Sequence, residues 1–136
     1  MITVKTLVKG GVTIFVMLLL SSCESEIDKN AICKNSEVDT PYCRYQGTIK
    51  KLYANSDGLG LIVIDGIFSI EDAKKYGYEI KTGHMIAYSL KGDDKISTEM
   101  LGLIKLAFTE GFSIEIHARK VFKGYLTVDR VWVEAK

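Results

Sequence analysis

The chain has 136 residues, 47% hydrophobic and 26% charged, which fits one globular domain and excludes both a disordered segment and two ordinary domains. Its 18 basic residues fall to 16 when Lys5 and Lys9 of the opening stretch are removed, and against 17 acidic ones the balance is −1. Phosphate binding needs a concentrated basic surface, so no nucleic-acid partner is expected.

Lys5 and Lys9 form a short positive flank, and residues 12–20 form a compact apolar run. A bilayer span needs ~20 apolar residues, so this run is too short to stay as a transmembrane helix. Positive flank, short apolar run and small residues at the break mark a secretory signal. At the break, Leu20, Ser21, Ser22 and Cys23 resemble the lipobox of bacterial lipoproteins. The resemblance implies that the chain is cut before Cys23, that its thiol is diacylated and that the new N-terminus is acylated with a fatty acid such as palmitate. Several acyl chains, at ~0.8 kcal/mol per buried methylene, hold a protein on a bilayer almost permanently. The alternative is an ordinary signal peptide with a chance cysteine. An aspartate after the cysteine resembles an inner-membrane retention signal, so Glu24 points to the outer membrane, facing the periplasm. The expected organisation is a signal peptide over 1–22, a lipidated tether over 23–31 and a folded domain over 32–136.

With Cys23 carrying lipid, Cys33 and Cys43 remain, and an even pair in an exported chain reads as a disulfide. Closing a loop of this size stabilises by roughly 3 kcal/mol in the chain-entropy model. The loop between them holds Asn35, Ser36, Asp39 and the chain's single proline, Pro41, all turn formers. Two sulfurs ten positions apart lack CxxC spacing, so neither metal binding nor redox catalysis is expected, and no cofactor is implied.

From Gln46 the pattern is that of strands. "GTIKKLYAN" ends at Asn55, Ser56, Asp57 and Gly58, a turn cluster, and "LGLIVID" then stops at Asp65 and Gly66. Gly60 is expected at a bulge or bend. In "SIEDAKKYG" a short helix is expected, capped by Ser69 and ended by Gly77. "HMIAYSL" forms a third strand, closed by a turn over 91–94. A longer helix follows, with Ser97 as N-cap, Ile96 and Leu101 as hydrophobic staple and Gly111 past its end. Met100, Leu101, Ile104, Ala107 and Phe108 share its apolar face. Leu103 and Leu106 break the polar face, either under a loop or the N-terminal segment or as a subunit contact. In the strand "FSIEIHARKV", Phe112, Ile114, Ile116 and Ala118 face one way and Ser113, Glu115, His117 and Arg119 the other. "YLTVDRVWV" follows the Lys123-Gly124 turn, with Val128 and Trp132 as core residues and Asp129 and Arg130 on opposite faces.

Strand, strand, strand, helix, strand, strand lacks βαβ alternation, so a parallel sheet is not expected. A mainly β domain with one main helix is expected. Five strands with that helix between strands 3 and 4 match an OB-fold-like Greek-key barrel. A three-layer sandwich, or an open meander with a helix laid across it, competes. The segment from Gly47 to Trp132 also resembles the B subunits of pentameric bacterial toxins, the subtilase-cytotoxin type above all. The resemblance lies in "GTIKKLY", the apolar strand ending in "DG", "AYSL", a helix with "LAFTEG", and "FSIEIH" leaving it. In that family the helices line a pore and the barrel surface binds glycans, whereas a lipid anchor is foreign to it. What this resemblance of layout, over about two-thirds of the chain, carries over is the fold.

The chain lacks GxSxG, HExxH and a phosphate loop, and holds two histidines, His84 and His117. His117 is expected on the polar side of its strand, exposed or facing its hairpin partner, and Asp65, Asp93 and Asp94 belong to turns. No catalytic residue is assigned, and an enzyme is the third reading. Tyr53 and Tyr125 are the candidate ligand-facing aromatics among seven tyrosines, the rest edging the core. The leading expectation is a non-catalytic binding or assembly module for a protein or glycan partner. The second is a structural lipoprotein that assembles with its own copies.

Overall fold

A computed structural model describes residues 29–38, 40–89 and 95–135. The expected signal peptide, Cys23, most of the tether and the 91–94 turn lie outside the described residues. The elements are β1 (Ala31–Lys34), β2 (Tyr42–Gly47), β3 (Ile49–Ala54), β4 (Leu59–Ile64), α1 (Ile70–Lys75), β5 (Met85–Ser89), α2 (Lys95–Glu110), β6 (Ser113–Phe122) and β7 (Tyr125–Glu134). The strands form one mixed sheet in the order β1-β2-β6-β7-β5-β4-β3, with β5 and β7 parallel and the other neighbours antiparallel.

The chain is mainly β, but with seven strands in place of the expected five, and its ladder is open, with β1 and β3 as its edges. Two corrections explain the count. Ala31–Lys34 and Tyr42–Gly47, on either side of the loop that holds Pro41, pair as an antiparallel hairpin that the sequence pattern did not show. The expected first strand is also divided at Thr48. Cys33 and Cys43 stand opposite one another in register and form the disulfide.

Thr48 shapes the sheet. β2 is second in the strand order and β3 seventh, which in a flat sheet at ~4.8 Å per strand would set them ~24 Å apart. One intervening residue spans at most ~7 Å, so the sheet curls back toward its own edge. Tyr45, fully buried, holds this bend: its hydroxyl donates to the carbonyl of Thr48 and accepts from the backbone N–H of Asp65 at 3.1 Å. Inside the curl lie Ile62, Ile64, Phe68, Ile86, Ile114, Ile116 and Leu126, with Ile104 and Ala107 of α2 against them.

The local signals for α1 hold: the Asp72 N–H donates to Ser69 Oγ at 3.2 Å, and Gly77 follows the helix at φ +91°. At the end of α2, Gly111 has φ +70° and the Phe112 N–H reaches the Ala107 carbonyl at 3.0 Å, the pattern of a Schellman cap. α2 begins at Lys95, so Ser97 lies within it rather than at its N-cap. Phe108 is 41% exposed, on the shoulder of the buried face rather than within it. Gly60 carries no bulge. It lies opposite Tyr88, whose ring covers the place a Cβ would take, and the register shift lies between Ile49 and Lys51.

β7 corrects the expected alternation. The β6–β7 register shifts between His117 and Ala118 and again between Ala118 and Lys120, stepping over Asp129 and Arg119. Such slips exchange faces. Val128, Val131 and Val133 pack on the core, while Trp132 is 47% exposed. Asp129 and Arg130, expected on opposite faces, touch: Arg130 Nε lies 2.9 Å from Asp129 Oδ2, and Arg119 Nε 3.3 Å from it.

Candidate functional site

Two turns meet at one end of the sheet. In the first, the Asn55 side-chain carbonyl accepts from the N–H groups of Asp57 at 3.0 Å and Leu59 at 3.1 Å, and Gly58 takes φ +86°. Asparagine and glycine supply the local bond and the left-handed backbone that such a turn needs. In the second, Lys123 and Gly124 have φ +52° and +85°, the type I′ geometry of a two-residue hairpin between twisted strands. The Lys81 N–H donates to the Gly124 carbonyl at 2.8 Å and fixes that turn from outside.

Between them lies a cleft of about 410 Å³, within the size range of small-ligand sites. Its floor comes from strands brought together by the parallel β5–β7 pair, where Ala87 stands beside Thr127. Tyr88 and Leu59 wall one side, and Val121 and Phe122 the other. Phe122 is 50% exposed, and the Lys123 ammonium lies 5.4 Å from its ring centroid. Asn55, Asp57 and Lys120 complete the lining. The cleft thus offers aromatic and aliphatic faces beside an amide, a carboxylate and two ammonium groups. Burial raises the Tyr88 hydroxyl above its ordinary value, so its proton is firmly held at neutral pH.

Neither sequence-chosen tyrosine lines the cleft, but both adjoin it. Tyr53 is 46% exposed, its carbonyl accepts from Tyr88 Oη at 3.5 Å, and its hydroxyl accepts from Asn55 Nδ2 at 3.5 Å. Tyr125 is half-buried and pairs with Phe122 across the hairpin. Leu103 and Leu106 are 38% and 45% exposed on one flank of α2, and neither lines the cleft. Among the described residues no group of three or more His, Cys, Asp or Glu side chains is placed to hold a metal ion, and no helix is long and apolar enough to cross a membrane.

A second surface went unseen in the sequence. His117, of the two expected places, takes the one facing its hairpin partner. It stacks on Tyr42 at 4.5 Å, meets Trp132 at 4.6 Å and lies 2.8 Å from Glu115 Oε2 through Nε2. The Arg119 guanidinium lies 5.3 Å from the Tyr42 ring centroid. These rings come from β2, β6 and β7, and only the strand register brings them together. No family model, curated protein or solved structure matches the chain.

Proposed function

We propose that this chain is a lipid-anchored protein of the bacterial envelope, attached through Cys23 to the outer membrane and facing the periplasm. Its β domain is a non-catalytic binding module for a protein or glycan partner. The cleft between the 55–58 and 123–124 turns carries this reading, because it joins an exposed aromatic face to polar groups of both signs in a space of ligand size. Leu103 and Leu106 offer a protein partner a further contact on α2.

The finer architecture proposed is an OB-type barrel, with β2 and β3 as halves of one bent first strand. The strand order, the parallel β5–β7 pair and the place of α2 between β5 and β6 support it.

The test uses the full chain in detergent on a glycan array and in crosslinking to envelope proteins, beside Phe122→Ser and Lys120→Ala. Binding that both substitutions weaken supports the cleft, and binding that neither changes overturns it. The anchor is tested apart, by radiolabelled palmitate: label must enter the unsubstituted chain and not Cys23→Ser, and its absence from both removes the lipid.

A further inference from the structure

The outward faces of β2, β6 and β7 meet in a hollow of about 340 Å³, lined by Gln46, Ser113, Glu115, Trp132 and Glu134 with Val133. Strand register places these side chains. Glu115 stands between Gln46 of β2 and Trp132 of β7, and Ser113, one outward step back along β6, stands opposite Glu134. Ile114 and Ile116 are fully buried, so Ser113, Glu115 and His117 share the outer face. Directly opposed residues have Cβ atoms ~5 Å apart, and residues two apart on one strand ~7 Å. Both carboxylates therefore start close beside the indole of Trp132, which is 47% exposed. His117 meets the Trp132 ring at 4.6 Å and lies 2.8 Å from Glu115 Oε2, so ring and carboxylate are positioned before any ligand arrives.

Among the described residues no Lys or Arg lines this hollow. Arg119 and Arg130 stand in the rows beyond, 3.3 Å and 2.9 Å from Asp129 Oδ2. Even a protonated His117 leaves the lining net negative. We infer that the hollow binds a primary alkylammonium, its charge seated on the Trp132 face between Glu115 and Glu134. An anion is repelled there, and a neutral ligand leaves two carboxylates without a counter-charge. Indole is the side-chain ring that attracts cations most strongly. Gln46, Ser113 and the two glutamates bring oxygen acceptors from several sides, which suits three rotatable N–H donors. A quaternary ammonium has no N–H to offer them, and a guanidinium holds its donors in one plane. The hollow shares no residue with the 55–58 and 123–124 cleft, so the two readings fail independently.

Trp132 is the chain's single tryptophan, so its emission reports on the site. Pentylammonium chloride is titrated into the full chain in non-ionic detergent at constant ionic strength, beside 1-pentanol and tetramethylammonium chloride. A saturable change is expected with pentylammonium and none with 1-pentanol, and tetramethylammonium should bind about threefold or more weakly. Glu134→Gln, at an exposed position, should weaken pentylammonium about threefold, and Glu115→Gln added to it about tenfold in all. The far-ultraviolet spectrum serves as folding control, and should the double variant fail to fold, Glu134→Gln alone decides. A response that does not saturate, that 1-pentanol matches, or that Glu134→Gln leaves unchanged overturns the site. Tetramethylammonium binding as tightly as pentylammonium overturns the choice of a primary ammonium.

Discussion

Replacing Tyr45 with phenylalanine removes one oxygen from the bend on which the curl of the sheet depends. That oxygen serves two partners, the Thr48 carbonyl and the Asp65 N–H. Each hydrogen bond contributes ~1 kcal/mol net, and a polar group left unmet in a buried place costs more, so a loss of about 2–3 kcal/mol is expected. For a domain of this size that is a fall of roughly 10–20 °C in Tm. Thermal and urea unfolding of the full chain, followed by circular dichroism at neutral pH, measure it. A pH series adds a second arm. Burial raises the Tyr45 hydroxyl above its ordinary 10.0; the Asp65 N–H bond lowers it, and the Asp65 charge raises it further. The folded state thus favours the neutral phenol. Its stabilisation is whole below pH 10 and fades as the pH climbs through the raised value. The unsubstituted chain should therefore lose stability above pH 10 more steeply than Tyr45→Phe, with Tyr88, also raised by burial, titrating in both. A variant within ~0.5 kcal/mol of the parent, or one with an identical alkaline limb, refutes the role given to Tyr45.

Three further outcomes are expected. Gly60→Ala drives a Cβ into the Tyr88 ring and should cost about 1–3 kcal/mol of unfolding free energy, with part recovered when Tyr88→Ala is added. Cys33→Ala with Cys43→Ala should lose about 3 kcal/mol by urea titration, since the bridge closes a loop of separation 10. Thr127 Oγ1 is buried without a hydrogen-bond partner among the described residues, so Thr127→Val should gain about 1 kcal/mol, read as a raised Tm.

Punctuation was legible in the sequence because it is local. Ser69 and Gly77 delimit α1, Asn55 and Gly58 make one turn, Lys123 and Gly124 another, and each acts through its own backbone preference. The disulfide followed from counting the cysteines left once Cys23 is set aside as the expected lipid site. Trp132 was misplaced because its face depends on the two register slips at Arg119 and Asp129, which charged side chains do not announce. β1 and β2, of four and six residues, were too short to show a period beside the turn formers of the loop joining them. Of the candidate cleft, the turns could be read and the floor could not. Ala87, Lys120 and Thr127 become neighbours only through the strand order.

The Cys33–Cys43 hairpin also gives the domain a polarity. Asn30, where the chain enters, lies in one row with Gln46 and Glu115. From Glu115, β6 runs seven residues to Phe122 at the cleft, about 24 Å at strand rise. If Cys23 carries the proposed lipid, the proposed recognition cleft stands at the end of the sheet far from the entering chain and faces away from the bilayer. A captured molecule would then be held clear of the headgroups, within reach of whatever crosses the space beyond.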